Sequence, residues 1–287
     1  MRFIILFLKT LFFLVIVCIF VKSWHLVTDG FRLDKINYDL KGINEDIIKF
    51  DEKNNIFDQK FKYLSKGCQT YVFESEDKNY VIKFIRYHRY KIPFWLKVLD
   101  FFGSYKNLRQ FYKEKLLNNS LDSYQIAYKY LRNETGVIYV HLSRTTCLNK
   151  KIQIIDRLNH KYLIDLDKTG FLVQKKVENF QDFLDKNKNN HEELKRITGS
   201  FLQTTRSIYL KGFNNDDYNC IKNSGIIDNK VIHSDVGSFL ERNLNEKKAF
   251  ENEFNHFMIY FKKWALKNAP FLIAYVDDEI KKMSSEL

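Results

Sequence analysis

Between Lys211 and Leu240 the chain concentrates the residue types that can hold a metal on a polyphosphate. A turn-rich polar run, Asn214-Asn215-Asp216-Asp217-Tyr218-Asn219, leads to Asn223, a short apolar pair at Ile226-Ile227 and a turn at Asp228-Asn229. A strand pattern, Lys230-Val231-Ile232-His233-Ser234, then delivers Asp235 onto Gly237. Carboxylates and an amide set on tight loops around a short hairpin offer hard oxygen ligands. Magnesium takes such ligands, usually one or two carboxylates plus substrate phosphates. The chemistry expected here is metal-assisted handling of a polyphosphate.

These residues carry a resemblance. Asp235-Val236-Gly237 resembles the D-F-G of kinases, and Asn223, twelve residues upstream, sits about where their catalytic-loop Asn sits. The run His233-Ser234-Asp235-Val236-Gly237-Ser238-Phe239-Leu240 is similar to the H-I-D-F-G-H-F-L run of phosphoinositide lipid kinases. The resemblance implies ATP and Mg2+ as cofactors, with Asn223 and Asp235 as metal ligands and an Asp shortly before the Asn as the base.

The elements that must position these residues follow a matching order. Alternating patterns at Phe61–Leu64, Tyr71–Glu74 and Tyr80–Ile85, separated by short turns, predict an antiparallel meander. Ser65 to Val72 is similar to the glycine-rich nucleotide loop, although only Gly67 and Val72 of its pattern are kept. Val81-Ile82-Lys83 matches the V-x-K of the third strand, where the Lys grips phosphates. A basic and aromatic segment, Arg86 to Leu96, precedes a helical pattern from Tyr105 to Arg132. Phe94 and Trp95 read as core residues. By resemblance a carboxylate on that helix pairs with Lys83, and both Glu114 and Asp122 qualify. Further strands are expected at Val137–Leu142, Lys151–Ile155, Lys161–Leu166 and Phe171–Lys175. Val177-Glu178-Asn179 would then be the hinge, with Glu178 at the nucleotide by resemblance. Helices are expected at Phe180–Leu184, Glu192–Leu210 and Asn245–Lys267. The fold class expected is α+β: a two-lobed kinase-like fold with an antiparallel sheet N-lobe and a short helical C-lobe.

The chain starts with an apolar run from Phe3 to Val21, interrupted only by Lys9 and Thr10, close to the roughly 20 residues a spanning helix needs. Lys9 can snorkel toward the interface. No small-x-small cleavage site follows, so an uncleaved anchor is expected rather than a signal peptide. Basic residues flank the run on both sides and do not orient it. The domains expected are an anchor over 1–25, a linker over 26–60, an N-lobe over 61–178 and a C-lobe over 179–287. The formal net charge is +12 over 287 residues. It reads as compositional bias of a Lys-, Asn- and Ile-rich chain, or as attraction to anionic lipid. No nucleic-acid-binding motif accompanies it, and nucleic acid is not expected as a partner. Cys18, Cys68, Cys147 and Cys220 lack metal or disulfide spacing and read as isolated thiols. With the ATP requirement, this places the domain in the cytoplasm, behind a single span in a bacterial inner membrane.

Three features depart from the kinase pattern. The loop has one glycine of three. There is no H-R-D; the position five before Asn223 is Tyr218, so Asp217, six before it, is the expected base, with Asp216 as the alternative. No A-P-E follows, which leaves little room for a peptide-docking segment and favours a small or lipid-linked acceptor. The function expected is transfer of the ATP γ-phosphoryl to a hydroxyl of such an acceptor. The alternatives are a pseudokinase scaffold without turnover, and a membrane-tethered basic module unrelated to kinases.

Overall fold

Strands form where β-branched and aromatic residues alternate, and turns where a carboxylate or a positive φ closes the backbone. In the computed structural model the described residues are 2–37, 55–93, 103–242 and 247–286. The expected core residues Phe94 and Trp95, and most of the expected linker, lie outside them. The chain folds as two compact units, Met1–Arg89 with Leu142–Phe171, and Tyr90–His141 with Leu172–Leu287.

The first unit opens with helix α1 (Arg2–Thr28), whose mean hydropathy reaches 3.0 and which is long and apolar enough to cross a membrane. It stops at Asp29 and Gly30, at φ +51° and +68°. A Cβ on Gly30 would stand 2.7 Å from His25 Nδ1, so glycine is needed there on both counts. Beyond it, Phe31 and Ile36, in the segment read as a linker, are buried. Phe31 packs edge-on against Tyr71 and Phe73, at 5.2 Å from each.

The meander is present as β1 (Phe61–Lys66), β2 (Thr70–Ser75) and β3 (Tyr80–Ile85), antiparallel throughout. Tyr71 and Phe73 on β2, and Ile82 and Phe84 on β3, are fully buried at the period of two that a pleated strand requires. The β2–β3 turn is closed by Asp77, whose carboxylate accepts from Ser75 Oγ and Asn79 N. β5 (Lys151–Ile155) and β6 (Lys161–Asp165) pair antiparallel with each other. The strand order in this unit is β3-β2-β1-β5-β6, and β1 with β5 is parallel. Antiparallel pairing prevails as expected, in β1–β2, β2–β3 and β5–β6, and this parallel pair stands beside it. The meander leaves the outer edge of β1 open, and the β5–β6 hairpin covers it.

The second unit holds β4 (Val137–His141) beside β7 (Phe171–Lys175), which contributes all but its first residue. It also holds α2 (Gly103–Lys129), the short α3 (Arg132–Thr135), α4 (Phe180–Lys186) and α5 (His191–Leu210). Asn179 and Asn190 cap α4 and α5, accepting from Asp182 N and Glu193 N. One face of α5, including Leu194, Ile197, Phe201, Leu202 and Tyr209, enters an aromatic core with Phe180, Phe250, Phe254 and Phe261. The single C-terminal helix expected over Asn245–Lys267 is instead α6 (Lys247–Phe257) and α7 (Ile259–Asn268), a correction. The hydrogen bonds Met258 N to Phe254 O and Lys262 N to Met258 O carry the ladder across the break. The bend keeps Phe257, Met258 and Phe261 buried together. A further helix, α8 (Phe271–Ser285), closes the unit with Leu272, Val276, Ile280 and Met283 inward. Sheet with inserted helix, connecting segment, two helices, polar loop, hairpin and D-x-G follow in the order expected of a kinase-like α+β fold.

Candidate functional site

The polar stretch is a closed loop pinned at both ends. β9 (Phe213–Asn215) enters it and β12 (Phe239–Glu241) leaves it, the two pairing antiparallel. Between them stands the hairpin of β10 (Ser224–Ile227) and β11 (Lys230–His233). Its two-residue turn, Asp228-Asn229, has φ of +48° and +61°, the geometry that matches strand twist in a tight hairpin. β10 also pairs with β8 (Glu178–Asn179). That approach is close: a Cβ on Gly225 would lie 2.2 Å from Val177 Cγ2.

This folding brings two of the expected residues together. The Asn223 carbonyl accepts from Ser234 N at 2.8 Å, Asp235 N at 3.0 Å and Ser234 Oγ at 3.1 Å. Asn223 and Asp235 are thereby fixed side by side through the backbone. Asp216 N donates to Ser238 O at 2.9 Å, which straps the Asp216-Asp217 segment to the residues just past Gly237. The two aspartates then differ. Asp216 faces the Arg242 guanidinium at 3.3 Å. Asp217 accepts from Asn219 N at 3.1 Å through one oxygen. The Asn223 side-chain nitrogen is buried without a hydrogen-bond partner.

Residues that the sequence reading passed over hold this arrangement. Ser123 on α2, fully buried, donates to Val236 O and accepts from Phe239 N, both at 2.6 Å. It therefore bridges the two sides of Gly237. α5 fastens β11 with hydroxyls: Ser200 Oγ accepts from Val231 N, Thr204 Oγ1 donates to Val231 O, and Thr205 Oγ1 lies 3.2 Å from His233 Nε2. Three hydroxyls on one helical face, at positions 200, 204 and 205, were the sequence signal for this seam. His233 packs against Phe201 and Phe257, which also touch each other. Burial pushes its imidazole down to about 4, so it is neutral near pH 7.

The remaining expected residues are placed separately. In the first unit Lys83 lies on β3 opposite Val72, half-buried between Ile82 and Phe84. Gly67 lies in the β1–β2 turn, which Gly67 N closes on Thr70 O and Arg86 Nη1 holds through Gly67 O. A Cβ at Gly67 would meet nothing nearer than 3.7 Å, so the fold itself does not demand glycine there. In the second unit Glu178 pairs with Lys186 at 2.7 Å. Glu114 and Asp122 are exposed on α2, and Glu114 accepts from Gln110 one turn away.

The donor set fits a magnesium ion shared with a polyphosphate. An amide oxygen and a carboxylate are hard ligands, and the orphaned Asn223 nitrogen lacks an acceptor that a phosphate oxygen can supply. Among the described residues no three His, Cys, Asp or Glu side chains cluster as an all-protein metal site. A metal held here would rely on its substrate for the rest of its coordination.

No protein-family model matches the chain, and no curated protein matches it. Solved structures do. A co-crystal structure of WbdD and a kinase inhibitor is 14% identical and covers 78% of this chain and 45% of that one, with a TM-score of 0.43. A crystal structure of WbdD at 15% identity covers 68% and 36%, with a TM-score of 0.38. One described as the bifunctional kinase-methyltransferase WbdD, at 16% identity, covers 66% and 34%, with a TM-score of 0.37. The chain thus spans less than half the length of these proteins.

Proposed function

We propose that this chain is a membrane-anchored, kinase-like phosphotransferase that moves the γ-phosphoryl group of ATP to a hydroxyl of a small or lipid-linked acceptor. The observation that supports the reading is the Asn223 carbonyl clamp, which accepts from Ser234 N and Asp235 N and so ties the backbones of Asn223 and Asp235 together. Asn223 and Asp235 would hold magnesium. When bound, the metal neutralises charge between the β- and γ-phosphates. The Lys83 ammonium would hold the phosphates, and the uncrowded backbone at Gly67 would let them approach. Residues around Glu178 would receive the base of the nucleotide. Asp217 would accept the proton of the acceptor hydroxyl. Asp216 suits that role less, because Arg242 engages it. Either Glu114 or Asp122 would steady Lys83. Helix α1 would anchor the chain, with the rest of it in the cytoplasm, where ATP is found.

The exposed placement of Glu114 and Asp122 favours a second reading, a pseudokinase that binds nucleotide without turnover. Both readings require nucleotide. Thermal unfolding of the full chain in detergent, with ATP and magnesium at about a hundred times the dissociation constant, should show about 2.7 kcal/mol of stabilisation. No shift at any nucleotide concentration would overturn both, and ADP formation matched by phosphorylated hydroxyl acceptor would separate them.

A further inference from the structure

Helix α1 does not end in a free linker. Arg157 Nη1 bonds both Leu26 O, at 3.2 Å, and Asp29 Oδ2, at 2.9 Å. Tyr63 OH donates to the same Asp29 oxygen at 2.9 Å, and Lys66 Nζ lies 3.6 Å from the other. Gly30 O accepts from Tyr71 OH at 2.9 Å and from Lys35 Nζ. The helix is therefore bolted to the outer surface of the β1–β2 hairpin within two residues of its last turn.

That junction gathers cations that are scattered in the sequence. Arg32, Lys35, Lys66 and Arg157 surround it, and Arg86 lies over the Tyr71 ring at 5.0 Å. Arg89 sits on the neighbouring turn, its guanidinium on Cys68 O. Of these six cationic groups, Arg32 pairs with Asp34, Lys66 and Arg157 pair with Asp29, and Arg86 and Arg89 lie on the carbonyls of the β1–β2 turn. Burial lowers the Lys35 ammonium, and Arg32, Arg86 and Lys66 press it the same way against Asp34. Arg32 and Arg157 keep more than half of their side-chain surface exposed, at 65% and 51%.

Distance places this patch. The apolar run ends at Val21, and Lys22 to Thr28 continue the helix for seven residues, about 10 Å at 1.5 Å each. The headgroup layer outside the hydrocarbon is about 5–8 Å deep on each side. The junction therefore stands at the outer edge of the headgroups, within about one Debye length of their charge.

We propose that this face of the first unit is a docking surface for anionic phospholipid headgroups, holding the β1–β2 hairpin flat against the leaflet from which α1 emerges. It rests on the reading of α1 as a membrane span. A rigid junction removes the freedom to swing away, and each cation near an anionic leaflet strengthens attachment about five-fold.

The test is hydrogen exchange on the full chain in nanodiscs of phosphatidylcholine alone, or with roughly a third phosphatidylglycerol. Amides of residues 29–37 and 84–90 should exchange several-fold more slowly with the anionic lipid, and high salt should cancel the difference. Arg32→Gln with Lys66→Gln should weaken attachment by roughly five-fold per cation removed and so erase most of that protection. Lys195→Gln with Lys281→Gln, equal in charge change but in the second unit, should keep it. Equal exchange in the two lipids, or equal loss in both double variants, would overturn the proposal. Failure of the chain to enter the discs at all would overturn the membrane span, and the docking surface with it.

Discussion

Replacing Ser123 with Ala should loosen the Asp235 segment and destabilise the second unit together. The hydroxyl is fully buried and makes two bonds of 2.6 Å, giving one to Val236 O and taking one from Phe239 N. Alanine removes one oxygen and strands a backbone carbonyl and a backbone N–H. A buried unsatisfied polar group costs about 1–3 kcal/mol. Allowing for partial relaxation, the pair should cost about 2–4 kcal/mol, or a drop in Tm of roughly 5–15 °C for a domain of this size. Ser120→Ala is the internal control. Its hydroxyl bonds back to Leu116 O on its own helix and lies 3.3 Å from Tyr90 OH, so its loss strands no backbone group at the site. The assay is urea and thermal unfolding of both variants, followed by nucleotide titration. A loss under about 1 kcal/mol for Ser123→Ala, or one equal to that of Ser120→Ala, would refute the reasoning.

Other outcomes follow from the same geometry. Gly67→Ala should leave stability within about 0.5 kcal/mol, since its Cβ has room, and weaken nucleotide binding if phosphates pass over that turn; binding assays on a normally melting variant check it. Gly225→Ala should destabilise by about 1–3 kcal/mol, because its Cβ would collide with Val177, and unfolding curves read this directly. Acid should weaken the second unit through His233. Its folded value near 4 lies below the unfolded 6.5, so the unfolded chain binds the extra proton and stability falls as pH drops through that window. The full effect is about 3 kcal/mol, and Glu134 is the charged group that opposes the shift. His233→Gln should flatten the pH dependence of Tm between pH 6.5 and 4. Glu134→Gln should cost stability at neutral pH. Burial pushes its carboxyl up, but bonds from Lys211 and Ser207 outweigh this and hold it below the ordinary range.

The strands and the Asn223–Asp235 turn were legible because they are written locally. Alternation marks the strands, and a run of Asn, Asp and Gly marks the turns. Lys151–Ile155 and Phe171–Lys175 fall where alternation put them. Ser123 was not legible, because its partner Val236 lies 113 residues away and a buried hydroxyl has no local pattern. The parallel pairing of β5 with β1 is a question of which edge is open, which periodicity does not encode. Helix α8 carried a readable signal, Leu272, Val276, Ile280 and Met283 at helical spacing, that went unused. The break at Met258 has no glycine or proline to announce it.

The central claim is that Asp235 holds a metal on a bound nucleotide, and an Asp235→Asn titration tests it most directly. The substitution keeps the shape and removes the charge. Asp235 N would still reach Asn223 O, so Tm without ligand should match wild type. ATP affinity in the presence of magnesium should fall at least ten-fold, about 1.4 kcal/mol, while affinity without metal changes little. Asp217→Asn in parallel should bind as wild type does and lose turnover. An Asp235→Asn protein that binds magnesium-ATP as tightly as wild type, or a wild type that binds none, would contradict the account.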